Sequence, residues 1–168
     1  MKDARLLWQW RNDPVTRAGS RSPQEVSWED HLRWLTSSLA RPDRLLLVVQ
    51  DAAGPVGTVR WDREEQAEGL AEGSAGGGQE WEVSITVAPD RRGRSLGGPL
   101  LRAAEQALSE AGRSGAKRSV GTDVSAYLAV VHVDNLASIR LFETSAYVPD
   151  LPPDLQGFMR FRKTARVP

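Results

Sequence analysis

The stretch Trp81-Glu-Val-Ser-Ile-Thr-Val87-Ala-Pro-Asp-Arg-Arg-Gly-Arg-Ser-Leu-Gly-Gly98-Pro-Leu-Leu-Arg-Ala-Ala-Glu-Gln-Ala-Leu108 decides how the 168-residue chain is read. Its first seven residues alternate. Trp81, Val83, Ile85 and Val87 fall on one face and Glu82, Ser84 and Thr86 on the other, the period-two pattern of a strand with one apolar side. Pro89-Asp90 then turns the chain into a loop holding Arg92, Gly93, Arg94, Ser95, Leu96, Gly97 and Gly98. A helix follows at once, with Leu101, Ala104, Leu108 and Ala111 inward and Gly112 as its expected stop. A strand, an Arg- and Gly-rich loop and a helix N-terminus together make an anion site. The first N–H groups of the helix lack partners, glycine lets the backbone approach a phosphate, and Arg adds fork-shaped donors. The P-loop and dinucleotide glycine patterns are both absent. Without a ligand, the same residues amount to a Gly-rich turn with solvated arginines.

Working outward, residues 3–10 have helical character and are expected to stop before Pro14, since a residue preceding Pro avoids the helical region. Ser27 is an N-cap with Asp30 as its capping-box partner, and Trp28, Leu32, Leu35 and Leu39 form an amphipathic stripe behind it. Residues 45–50 and 56–61 are strands joined by a turn at Gly54-Pro55, hence a hairpin. Residues 64–80, rich in Gly, Glu and Ala, are expected to be a flexible surface loop, and residues 113–123 a polar linker. Residues 127–133 form a strand, Asn135 opens a helix carrying Leu136, Ile139, Leu141 and Phe142, and residues 158–161 close the chain as a strand. The order is helix, helix, three strands, helix, strand, helix, strand: one mixed α/β domain over residues 1–168.

Composition narrows the function. Hydrophobic residues are 40% and charged residues 26% of the chain, values of an ordinary globular protein that exclude disordered and fibrous classes. No apolar run approaches the roughly 20 residues of a membrane helix, and no signal segment opens the chain, so a soluble, cytoplasmic protein is expected. There is no Cys, and the only histidines are His31 and His132, so thiolate chemistry is excluded and a metal site is not expected. Basic and acidic residues balance at 22 each, which argues against a nucleic-acid partner. The basic set is 19 Arg and 3 Lys, a ratio that suits oxyanion binding but also follows from a GC-rich genome.

The residues from Val87 to Leu101 resemble the acetyl-CoA motif of the GCN5-related N-acetyltransferases, Arg/Gln-x-x-Gly-x-Gly/Ala between the fourth strand and third helix of that family. A second segment at the expected distance, from Ala129 to Tyr147, is similar to its fifth strand and fourth helix. Trp10-Arg-Asn-Asp13 and His31-Leu-Arg-Trp34 resemble the first helices of the branch holding ribosomal-protein N-terminal and nucleotide-sugar amine acetyltransferases. The resemblance covers nearly the whole chain. It implies the acyl-CoA N-acyltransferase fold, a mixed, mostly antiparallel sheet flanked by helices, with the first strand of the family missing or reduced. Three departures stand out: that strand, Ser95 in place of the middle Gly of the motif, and Phe142 where many members place the Tyr that protonates the leaving thiolate.

The resemblance further implies acetyl-CoA as co-substrate. Its pyrophosphate would lie on Arg92, Gly93, Arg94, Ser95, Leu96, Gly97 and Gly98, its pantetheine beside Ile85 and Val87 in a slot where two strands splay, with Asn135 and Ser138 near it. Asn135 reads equally as a helix cap. Glu82 is the candidate base for the attacking amine, directly or through water; the plain alternative is a strand carboxylate paired with an Arg. Arg11, Asn12 and Ser84 are candidate acceptor-binding residues, although Arg11 could instead pair with a core carboxylate. His132 could line the slot, His31 packs among tryptophans, and Tyr147 is either a packing residue or a replacement acid. The expected reaction is acetyl transfer to a primary amine, on an amino-sugar nucleotide or on a protein N-terminus, by a monomer or homodimer. A silent acyl-CoA-binding module and a plain interaction domain are the competing classes.

Overall fold

The computed structural model describes residues 2–64, 78–114 and 124–165. Its helices are α1 (Ala4–Asn12), α2 (Pro14–Ala18), α3 (Trp28–Ala40), α4 (Gly97–Ser114) and α5 (Leu136–Thr144). Its strands are β1 (Arg44–Asp51), β2 (Gly54–Arg63), β3 (Gln79–Val87), β4 (Val124–His132), β5 (Val148–Leu151) and β6 (Phe158–Thr164). They form one sheet in the order β1-β2-β3-β4-β6-β5. Only β3 and β4 are parallel, joined across α4 as a parallel crossover requires. This is the mixed, mostly antiparallel sheet flanked by helices that the resemblance implies, and no strand precedes α1 among the described residues.

Two apolar clusters hold the layers together. Trp61 and Trp81 are fully buried between the sheet and α4, against Leu101, Leu108 and Phe161, and the Trp61 indole N–H donates to the Ala104 carbonyl at 3.2 Å. On the opposite face, Ala4, Leu7 and Trp10 of α1 pack with Leu35 of α3 and Ala88 against Leu46 and Val48. The alternation of β1 divides its side chains between the two cores.

Several expectations shift. Helix α1 stops at Asn12, before Pro14, as expected, but Pro14 then opens the unforeseen α2 at N1, where a missing N–H costs nothing. Asp13 caps α2 by accepting from the Thr16 N–H. The Ser27 cap with Asp30 is present, but the buried face of α3 is His31, Leu35 and Ser38, and Leu39 is exposed. A polar pair displaces the apolar stripe because Arg44, on the strand below, donates to Ser38. Helix α4 runs past Gly112 to Ser114, β4 begins at Val124, and β5 was not foreseen because its four residues are mostly exposed and carry no alternation. The expected flexible loop has its interior, residues 65–77, outside the described residues, as does most of the linker, residues 115–123.

Candidate active site

The site begins with how β3 and β4 part. Their register runs from Gln79↔Val124 to Val83↔Ala129 and then stops, while β4 continues against β6 to His132↔Phe158. Beyond Val83 the strands diverge. The N–H of Ala88 donates to Val56 of β2, so even-numbered residues of β3 turn their main-chain groups toward β2, and Ile85 and Val87 turn theirs toward the opening. A cleft of about 1000 Å³ lies there, bordered by Ile85, Val87, Asn135, Ser138 and the loop into α4.

That loop leaves main-chain donors free at the start of α4. Leu96, Gly97 and Gly98 precede the first intrahelical donor, since the Leu100 N–H is the first to bond back, to Leu96, and Pro99 has no N–H. Gly93 and Ser95 both take left-handed backbone, at φ 74° and 55°. This is why a glycine is expected at the middle of the loop; serine adopts the conformation at a cost of roughly 1–2 kcal/mol. A Cβ on Gly98 would meet only the Arg102 guanidinium at 3.4 Å, whereas one on Gly97 would press into Leu141 of α5 at 3.2 Å. Arg94 is exposed beside the loop and has no ion pair among the described residues. Arg92 is committed elsewhere: it pairs with Asp13 at 2.6 Å and donates to Thr16 at 2.7 Å, tying the loop to α2. Arg102, one turn into α4, also borders the cleft; its place one turn beyond Gly98 is the signal that could have found it. Asn135 caps α5 through the Ser138 N–H at 3.2 Å.

Beyond the cleft lies a second chamber of about 460 Å³ between the sheet and helices α1 and α3. Its walls include Trp10, His31, Trp34 and Leu46, and it joins the cleft at Arg11, Arg60, Ser84 and Thr86. Residues 19–27 cross its mouth as a strap. The Trp8 indole and Asn12 amide N–H groups donate to the Val26 carbonyl, the Val26 N–H donates back to Asn12, and Arg11 donates to the Ser22 carbonyl at 2.6 Å. Asn12 is thus spent on the strap and lines neither cavity. Arg11 pairs with no carboxylate among the described residues; burial, then repulsion from Arg17, holds its pKa below the usual value.

Glu82 borders the cleft one strand step from Ser84, on the polar face of β3. Burial raises its pKa above the ordinary carboxylate value, against the nearby Arg21 charge, which lowers it. Arg21, on the strap, lies 3.6 Å away and is mostly exposed. The carboxylate faces an Arg, as one reading from sequence expects, but it is largely buried and not exposed.

The remaining candidates separate. His132 stacks edge-on against Phe158, accepts from the Asp134 N–H and does not border the cleft. His31 is buried among Trp28 and Trp34, with Nε2 2.9 Å from the Ala4 carbonyl. Burial lowers its pKa more than that bond raises it, so the ring is neutral and donates through Nε2. The Tyr147 hydroxyl donates to Glu105, which pairs with Lys163, and burial raises its pKa; it points away from the cleft. Phe142 borders the cleft but is only 3% exposed, its ring edge-on to Tyr147 and stacked on Phe161. No metal-binding cluster occurs and no helix is long and apolar enough to cross a membrane, both among the described residues.

A family model of acetyltransferase (GNAT) domains matches residues 1–147. No curated protein matches the sequence. Among solved structures, spermidine N-acetyltransferase from Vibrio cholerae, in complex with CoA and spermine, superposes with a TM-score of 0.73 at 16% identity, covering 97% of this chain and 90% of that one. Aminoglycoside acetyltransferase AAC(6')-Ib in complex with coenzyme A gives 0.72 at 18% identity, over 97% and 90%. A putative acetyltransferase from Salmonella typhimurium with acetyl-CoA gives 0.70 at 19% identity, over 97% and 88%.

Proposed function

Because the chain belongs to the acetyltransferase (GNAT) family and is an acetyl-CoA-dependent acetyltransferase, we propose that it acetylates the primary amine of a small molecule held in the chamber under α1 and α3. The observation that carries this reading is the meeting of two cavities along the polar face of β3. The cleft has the features that acetyl-CoA needs, and the chamber opens into it at Ser84 and Thr86.

The residues fit the co-substrate. The partnerless N–H groups of Leu96, Gly97 and Gly98, with Arg102 on the cleft wall, suit a diphosphate; Arg94, exposed on the loop and off the cleft wall, is a further donor within the same loop. The open main-chain groups of Ile85 and Val87 suit an extended amide-bearing arm, paired as an added strand. Acetyl-CoA supplies an acetyl thioester, whose carbonyl an amine attacks directly. The N–H of Val87 is the donor placed to polarise that carbonyl.

Glu82 does the proton work. A Lys-type amine has a pKa near 10.4 and an α-amine near 7.7–8.0, so at neutral pH the acceptor arrives largely protonated. A carboxylate whose pKa is raised by burial is a stronger base than an ordinary one. It takes the amine proton directly or through water. Phe142 has no hydroxyl to give the departing thiolate, so that proton comes from water in the open cleft.

Of the two acceptors suggested by sequence, the amino-sugar nucleotide is favoured over the protein N-terminus. A chamber of about 460 Å³ roofed by helices and a strap is a small-molecule volume, and Trp34, partly exposed on its wall, offers an aromatic surface to a ring. The neighbours named for spermidine and aminoglycosides support an amine acceptor of that size. The test has two arms. Acetyl-CoA at 100 times its Kd should add about 2.7 kcal/mol of stability, a melting shift of several degrees, with ATP and NAD giving none. Release of CoA thiol should then follow with small amines and not with unstructured peptides. Absence of thiol release with every amine tried would overturn the reading.

A further inference from the structure

The charged residues lining the chamber are Arg11, Asp30 and Arg60. Asp30 is engaged by Ser27 and by Arg33. Arg60 donates to Asp62 at 2.6 Å, and that carboxylate also serves Arg44. Arg11 alone has no acidic partner among the described residues. One terminal nitrogen meets the Ser22 carbonyl, the other is buried with no hydrogen-bond partner, and the charge of Arg17 repels it. The remaining walls are aromatic, aliphatic and hydroxyl groups, with His31 neutral.

A half-buried guanidinium without a counter-charge is costly unless something supplies one. The strap does not: Glu25, its carboxylate, pairs with Arg17. The Arg11 position is also the right one for selecting substrate, at the junction of chamber and cleft, across from Ser84 and Thr86 on β3. We propose that Arg11 binds an oxyanion of the acceptor, so that the amines this protein acetylates carry a phosphate or carboxylate group, and polycations are rejected. With Arg60 paired to Asp62 and Asp30 to Arg33, the charge left uncompensated on the chamber wall is that of Arg11, the wrong sign for a polyamine, whose second ammonium would face it.

This inference rests on the reading of the chamber as the acceptor site, and matched pairs separate the two. The binding of glucosamine 6-phosphate and of glucosamine is measured by calorimetry on protein saturated with CoA, alongside 4-(aminomethyl)benzoate against its amide, and spermine. At least one anionic member should bind about tenfold or more tighter than its neutral partner, the scale of a hydrogen bond to a charged group, and spermine should bind weakest. Which pair responds tells phosphate from carboxylate. Arg11→Met should bring the ratio near one and Arg11→Lys should keep part of it. Arg17→Met, which loosens the same strap by removing a bond to the Pro23 carbonyl and the Glu25 pair, should keep the ratio. Equal binding within both pairs, no binding of any member, or an unchanged ratio in Arg11→Met overturns the proposal. Thiol release from neutral amines alone would leave the acetyl-transfer reading standing while this one fails.

Discussion

Glu82 is a residue whose neighbours predict two effects of opposite kind. As the base, it should cost turnover about 10²–10⁴ when replaced by Gln, and the acidic limb of the pH–rate profile should flatten. In stability the sign reverses. A carboxyl with a raised folded pKa favours the folded state below its unfolded pKa and loses that contribution as pH rises through the folded value. Above its unfolded pKa the buried carboxyl therefore weighs against the fold, and Glu82→Gln should raise Tm at neutral pH while lowering turnover. A Tm that falls, with turnover unchanged, would make Glu82 a structural partner of Arg21. Arg92 and Arg94 divide in the same way. Arg92→Ala should cost roughly 1–3 kcal/mol of stability through the lost Asp13 and Thr16 contacts, read by urea unfolding without ligand. Arg94→Ala should leave that unfolding curve in place and weaken acetyl-CoA binding.

At the scale of elements, the start of α4 carries two constraints in adjacent residues. Gly97 faces α5: a Val there drives its side chain into Leu141, and overpacking of this kind costs about 1–3 kcal/mol. Gly98 faces the cleft and a flexible guanidinium, so Gly98→Val should spare most of the stability and block the phosphates. Calorimetric titration of acetyl-CoA, set beside unfolding of the same two variants, checks the division. Equal loss of stability in both would mean that α5 constrains both positions.

For the molecule as a whole, pH should act through His31, which locks α3 to the start of α1. Its folded pKa is lowered, so above the ordinary His value of about 6.5 it adds no pH dependence. As pH falls below that value the unfolded chain takes up a proton that the fold resists, and the layer over the chamber loses stability first. Melting between pH 7 and 5 should fall less steeply in His31→Gln than in the parent. Identical slopes would place the acid sensitivity elsewhere.

The local pattern was enough for the strand at 81–87, the loop and helix after it, the Ser27 cap and the hairpin, because alternation, glycine spacing and capping are each set within a few residues. It also marked the loop before α4, whose main-chain donors the fold leaves free. Tertiary structure alone decided the rest. Whether the Glu82 face of β3 met water or substrate depended on α1, α3 and the strap folding across it. Ser38, and not Leu39, turns inward on α3, where Arg44 at the start of the next strand donates to it. Arg92 and Arg94 sit two positions apart in one loop, yet only packing against α2 commits the first to Asp13. Arg11 reads the same from sequence whether it pairs with a carboxylate or not; that it faces none is a fact of three dimensions, since charge compensation depends on what lies across a cavity and not on what lies along the chain.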